Sequence, residues 1–207
     1  MTMTTAVLFD VDGTLVDAVE NQRRIWAEWA ERFSLDGDEV HALALRTRPV
    51  ETVAHFLPKA ERAHTLAQFQ RLEDEDVVDG RYTAYAGASS LLRSLDAGRW
   101  ALVTSNLQHR VVARFRRLEL PVPTVIVDAD ATERGKPHPD PYLAAAAALR
   151  VDAARCLVLE DSAAGVASGL AAGMTVWSVN GDTPVSGAHR HFATLADAVP
   201  EVLEFAE

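Results

Sequence analysis

The chain has 207 residues, 48% hydrophobic and 24% charged, with a net charge of −10. That mixture suits one large globular domain, or one domain carrying a smaller insert. The acidic balance and the lack of a dense basic run argue against a nucleic-acid binder, and no apolar run approaches the ~20 residues a membrane helix needs.

The opening MTMTT has no basic region followed by a long apolar one, so no secretory signal is expected. Cys156 is the single cysteine. It fits a reducing cytosol, as a small buried residue ahead of a strand. The first element is AVLF, 6–9, read as a buried strand that ends on Asp10, Asp12, Gly13 and Thr14. Two carboxylates one residue apart disfavour joint ionisation, so something else must hold them. Asp17 is expected to start a helix. Residues 16–82 carry no strand pattern. Val19, Trp26, Trp29 and Phe33 lie at helical spacing, 36–45 and 50–57 read as shorter helices, and Pro58 opens another running through 76.

From about 83 to 180 strand and helix alternate. WALVT (100–104), TVIV (124–127), CLVLE (156–160) and TVWSV (175–179) are Val- and Leu-rich runs without polar alternation, as in a parallel sheet covered on both faces. The helices are 88–98, closed by Gly98; 107–118, with apolar residues at 111, 112, 115 and 118; 140–150, with Pro141 in its first turn; and 162–174, closed by Gly173. RFRRLEL, 114–120, is assigned to the solvated side of its helix. The fold class is α/β: a Rossmann-like open parallel sheet formed by 1–15 and 83–207, with an all-helical insert at 16–82.

In such a sheet, ligands bind beyond the carboxyl ends of the strands. Those ends carry Asp10 and Asp12; Thr104, Ser105 and Asn106; a loop with Gly135, Lys136 and Pro137; and Glu160, Asp161 and Ser162. Oxygen ligands from two acidic loops suit Mg²⁺. Lys136 and Ser105 suit phosphate oxygens. An aspartate can serve as a nucleophile that becomes phosphorylated, with a second carboxyl as acid and base. Lys136 is one of only two lysines, with Lys59, against 18 arginines, which makes it a candidate for a place where a compact ammonium serves and arginine would not. Each loop also has a plainer reading: a turn at Asp10 or Asp12, a helix N-cap at Ser105–Asn106 or Glu160–Ser162, a proline-rich turn at 135–142.

DVDGT, TSN, GKPHPDPY and LEDSAAGVASGLAAGM, in that order, resemble the four motifs of the haloacid dehalogenase superfamily. The helical insert is similar to the cap of the branch with sugar phosphatases, glycerol-phosphate phosphatases and β-phosphoglucomutases. The resemblance implies that Asp10 is nucleophile and metal ligand. Asp12 would be the general acid/base, with its backbone carbonyl on the metal. Ser105 and Asn106 would bind the phosphoryl group, and Lys136 would neutralise it. Asp161 would ligate Mg²⁺, with Glu160 as a further or water-mediated ligand. LRTRPVETV, 45–53, roughly resembles a cap segment of the same phosphatases and makes Arg48 a candidate substrate contact, although Arg46 and Pro49 depart from the usual residues. His138 is assigned to loop support.

The expected activity is Mg²⁺-dependent hydrolysis of a small phosphorylated sugar or polyol in the cytoplasm, by a monomer or homodimer, with no nucleic-acid or membrane partner. A phosphosugar mutase shares the core chemistry but benefits from cap cations for a second phosphate, and the insert has only Lys59 beside several arginines. A dehalogenase needs neither Asp12 nor a metal. A phospho-receiver domain is smaller, lacks the insert, and phosphorylates an acid on a later strand.

Overall fold

The structure, a computed structural model, describes residues 4–207; residues 1–3, assigned above to the sheet domain, lie outside the described residues. A six-stranded sheet runs in the order β5-β4-β1-β6-β7-β8. Its strands are β1 (Ala6–Phe9), β4 (Trp100–Val103), β5 (Ile126–Val127), β6 (Cys156–Glu160), β7 (Thr175–Val179) and β8 (Arg190–Phe192). Every pairing in it is parallel. Strands buried on both faces lose polar alternation. In β1, Val7 and Phe9 pack into one apolar cluster with Leu102, Leu157 and Phe115. Ala6 and Leu8 pack into the other, with Val103, Val158 and Tyr142.

Helices α5 (Ala88–Ser94), α6 (Gln108–Arg117), α7 (Asp140–Leu149), α8 (Ala163–Ala171) and α9 (Leu195–Ala206) cover the sheet. From β1 the chain moves to β4 and outward to β5, then returns to β6 on the other side of β1 and continues to β7. This reversal opens the crevice at the carboxyl end of β1, the position where open α/β sheets bind ligands.

Residues 16–82 form α1 (Val19–Arg32), α2 (Gly37–Ala44), α3 (Pro49–Phe56) and α4 (Lys59–Asp79). They have their own apolar cluster around Trp26, Trp29, Val53 and Phe69. Trp26 stacks on Phe69, with ring centroids 3.8 Å apart. The helical segment leaves and rejoins the sheet domain through two short antiparallel strands, β2 (Val16–Asp17) and β3 (Thr83–Ala84). No helix among the described residues is long and apolar enough to cross a membrane.

Four local expectations are corrected. The segment 16–82 begins with a strand, β2, and Asp17 lies in it rather than starting a helix; α1 is preceded by Ala18, which makes no side-chain cap. α5 ends at Ser94 with Leu95 already extended, so Gly98 closes no helix. β8 was not anticipated, because RHF is a short, partly exposed edge strand with no apolar run. Arg114 is buried, at 2% exposure, rather than solvated; its spacing from Val111 and Phe115 places it on the inner side of α6.

Truncating Trp29 to Ala removes a fully buried ring from the helical cluster and should lower unfolding stability by about 3–5 kcal/mol. Leu143→Ala, at a position 41% exposed, should change it by less than about 1 kcal/mol. Urea titration followed by circular dichroism compares the two.

Candidate active site

Asp10 follows β1 directly, and its backbone N–H donates to the Leu159 carbonyl at 3.0 Å, tying the loop to β6. Its side chain is buried. Oδ1 accepts from Lys136 Nζ at 2.6 Å, while Oδ2 is buried with no hydrogen-bond partner among the described residues. Lys136 Nζ also donates to Glu160 Oε1 at 2.6 Å and to the Val103 carbonyl at 3.0 Å. An ammonium has three N–H donors, and all three are used. Burial acts against the charged lysine, but Asp10 and Glu160 outweigh it and its pKa is raised.

Glu160 is fully buried. Oε1 also accepts from Tyr142 Oη at 2.8 Å. Oε2 accepts from the Asp161 and Ser162 backbone N–H groups, each at 3.2 Å, and from Ser162 Oγ at 3.0 Å. Ser162 Oγ in turn accepts from Gly165 N–H at 3.0 Å and caps α8, so the capping reading of this loop holds alongside the functional one. A Cβ at Gly165 would lie 1.7 Å from Glu160 Oε1; glycine there makes room for the carboxylate.

Asp161 Oδ1 accepts from Thr14 Oγ1 at 3.1 Å. One carboxylate oxygen from each of Asp10, Glu160 and Asp161 lies within 4.8 Å of the others. Burial, then the Glu160 charge, push the Asp161 carboxyl up to about 7. Burial also raises Asp10; Lys136 opposes this, while Glu160 and Asp161 add to it. Three crowded carboxylates and the orphaned Asp10 Oδ2 make a hard-oxygen donor set that fits a hard cation. Both Glu160 oxygens are already engaged, so Asp10 and Asp161 are the better placed for direct contact with one.

The loop after Asp10 is held by Asn180, whose Nδ2 donates to the Gly13 and Thr14 carbonyls at 2.9 Å each. Gly13 has φ +97°, and a Cβ there would lie 2.1 Å from Asp161 Oδ2. Asp12 pairs with Arg114 of α6: Nη1 donates to Oδ1 at 2.5 Å and Nη2 to Oδ2 at 3.3 Å. The Arg114 guanidinium lies 5.2 Å from the centre of the Tyr82 ring.

A cavity of about 130 Å³ joins these residues. Asp10, Asp12, Ser105, Asn106, Lys136 and Asp161 line its sheet side. Gln22, Trp26, Arg46, Phe69 and Glu73 line the helical side. Ser105 is exposed and does not cap α6, whose N-cap is Leu107; Asn106 Oδ1 accepts from Leu107 N–H at 2.8 Å. Arg48 is not in this cavity. Its Nη2 donates to Glu51 at 2.9 Å and to the Glu133 carbonyl at 3.0 Å, and it lines a neighbouring cleft. Arg46 is the arginine of that segment facing the site. His138 supports the loop through its carbonyl, which accepts from Ser168 Oγ at 2.5 Å.

Residues 4–173 match the haloacid dehalogenase-like hydrolases. The chain belongs to this family. It is 41% identical to hexitol phosphatase A of Escherichia coli K12, across 86% of this chain and 84% of that one. It is 29% identical to the β-phosphoglucomutase of Bacillus subtilis, across 96% and 93%. The crystal structure of CbbY from Rhodobacter sphaeroides in complex with phosphate superposes with a TM-score of 0.78 at 27% identity, over 95% of this chain and 96% of that one. Like other members of the family, this chain is a hydrolase, and its relatives include phosphatases.

The sequence reading missed Tyr142, Asn180, Arg110, Arg114 and Glu73. Tyr142 stands inside the quoted GKPHPDPY, but nothing local reveals that it reaches Glu160. Asn180 carries one usable signal: a lone Asn just past a strand end suits the left-handed φ of 60° it adopts.

Gly13→Ala should abolish activity and destabilise the fold, since it adds a clash with Asp161 to backbone strain; thermal unfolding and turnover test it. Asp161 supplies a pH prediction. Its pKa is about 7 in the folded chain against an ordinary 3.8, so from about pH 4 to 7 the folded state holds a proton that the unfolded state has released. Stability from this group is therefore lost as pH rises through that window. In chelator, denaturant titrations should show wild type losing stability relative to Asp161→Asn between pH 5 and pH 8. Added Mg²⁺ should raise the melting temperature of wild type more at pH 8 than at pH 5.

Proposed function

We propose that this protein is a Mg²⁺-dependent phosphatase that hydrolyses the phosphomonoester of a small sugar or polyol through an aspartyl-phosphate on Asp10. One observation carries the reading: Asp10, whose buried Oδ2 has no hydrogen-bond partner among the described residues, lines a cavity with Lys136, Asp161 and Ser105. Residues 16–82 act as the cap over a core of 1–15 and 83–207. The likeness to hexitol phosphatase A and, at 28% identity over 83% of this chain, to glycerol-1-phosphate phosphohydrolase 1 of Saccharomyces cerevisiae supports the substrate class.

Asp10 Oδ2 attacks phosphorus while Oδ1 stays on Lys136, and the bond from phosphorus to the leaving oxygen breaks. Asp12, as the acid, gives its proton to that oxygen. Asp12 then takes a proton from water as the water oxygen attacks phosphorus. The bond between phosphorus and Asp10 breaks and inorganic phosphate leaves. Ser105 and the Asn106 backbone hold phosphoryl oxygens, and Lys136 neutralises their charge. Asp10, Asp161 and the Asp12 carbonyl would hold Mg²⁺, with Glu160 as a further or water-mediated ligand, and the bound ion would supply positive charge to the clustered carboxylates and the phosphoryl group.

The test is a panel of phosphorylated metabolites assayed with Mg²⁺ and with chelator. Wild type should release phosphate in repeated turnovers without a bisphosphate activator. Asp10→Asn should lower turnover by at least about 10³-fold, and Asp12→Asn by about 10²–10⁴-fold with the fold retained. Full activity in Asp10→Asn or under strong chelation refutes the mechanism. Isomerisation without phosphate release refutes the phosphatase.

A further inference from the structure

The phosphoryl end of the cavity holds the Lys136 ammonium among the carboxylates of Asp10, Glu160 and Asp161. The cap side has a different character, set by α4. Glu73 and Asp74 both pair with one guanidinium, that of Arg110 on α6. Arg110 Nη1 bonds Glu73 Oε2, Nε donates to Asp74 Oδ1 at 2.6 Å, and Nη2 donates to the Gln70 carbonyl at 3.0 Å. Two carboxylates share one arginine, so with both ionised the trio carries a net negative charge; the exposed His109 also meets Asp74 Oδ1 at 3.1 Å. Asp74 is half exposed, whereas the Glu73 and Arg110 side chains are 12% and 3% exposed. Glu73 lines the cavity with Asp10 and Asp12, and Asp74 does not. Among the described residues Glu73 Oε1 has one hydrogen bond, from Asn106 Nδ2 at 3.5 Å, longer than the ordinary range of about 2.7–3.2 Å. An ionised carboxylate accepts only, with about four lone-pair sites. Beside it stand the apolar walls Trp26 and Phe69 and the Gln22 amide, with Arg46 on the same side of the cavity.

We infer that Glu73 is a specificity-determining residue that accepts a hydroxyl of the leaving group and rejects leaving groups bearing a second anion. An uncharged polyol or sugar supplies the donor that Oε1 lacks. A second phosphate or a carboxylate supplies no donor near neutral pH and meets the like charge of the trio. This rests on the phosphatase reading.

The test is made at pH 8, above the value of about 7 to which burial raises the Glu73 carboxyl. The kcat/KM values for a hexitol 6-phosphate, for fructose 1,6-bisphosphate and for phenyl phosphate are measured with Mg²⁺, and the first two are divided by the third. These ratios are independent of the fraction of folded enzyme. Glu73→Gln keeps the size and an oxygen for Arg110. It should lower the hexitol ratio about five- to ten-fold, mainly through KM, and raise the bisphosphate ratio at least about five-fold. Asp74→Asn weakens the same link between cap and core without facing the cavity, and should move both ratios less than two-fold. Unchanged ratios in Glu73→Gln, or equal shifts in Asp74→Asn, overturn the inference and leave the phosphatase standing. No phosphate release by wild type from any of the three compounds overturns the phosphatase reading itself, and this inference with it.

Discussion

The Lys136 ammonium is the interaction on which the site depends. It comes from the loop after β5 and donates to groups at the ends of three adjacent strands: Asp10 after β1, the Val103 carbonyl of β4, and Glu160 of β6. Buried ion pairs often fail to repay their desolvation. This one is complete, with three donors and three acceptors. Removing any partner would leave a charge in a dry place, so the centre of the sheet and the centre of the site constrain each other. A guanidinium could not do the same: its donors lie in one plane, whereas these acceptors converge from separate strands on a point. In a chain that otherwise uses arginine almost everywhere, that geometry is the physical reason for a lysine here.

The same crowding creates the chemistry. Lys136 balances one of three neighbouring carboxylates, and burial leaves Asp10 and Asp161 poor anions. The fold keeps these groups together through local devices. Gly165 clears space for Glu160, Gly13 for Asp161, and Asn180 clamps the loop that carries Thr14. Strain and charge are thus concentrated where a cation and a phosphoryl group have complementary charge, while the apolar clusters on either face of the sheet hold the frame.

Much of this was legible in the sequence because it is local. A strand buried on both faces is a short apolar run, and the residues just past its end belong to the crevice. That logic pointed to Asp10, Asp12, Ser105, Asn106, Lys136, Glu160 and Asp161; six of them line one cavity, and Glu160 is buried behind it on Lys136. What escaped depends on long-range pairing. Arg114 looked solvated because charge on a helix usually is, yet its partner Asp12 is 102 positions away. Arg48 looked like a substrate contact because of its segment, but its guanidinium is taken by Glu51 and by loop carbonyls, and Arg46 faces the cavity instead. β2, β3 and β8 have two or three residues each, too few to show a period.

The arginines of α6 show how one helix serves two purposes. Arg110, Arg114 and Arg117 lie at i, i+4 and i+7, hence on one face. Arg110 reaches Gln70, Glu73 and Asp74 of α4; Arg114 fixes Asp12 beside the cavity; Arg117 bonds the Val77 and Gly80 carbonyls at the end of α4. Asp12 and the helical segment are therefore referenced to the same helix, and its N-terminal residue Gln108 is itself pinned by its N–H donating to Asp128 Oδ2 at 3.0 Å. Long planar side chains suit this task. Each binds at two or more points, which fixes orientation as well as distance. A compact ammonium is needed where charges converge on one point. A fork is needed where two bodies must be held at an angle. The division of labour between Lys136 and the α6 arginines follows from those two shapes.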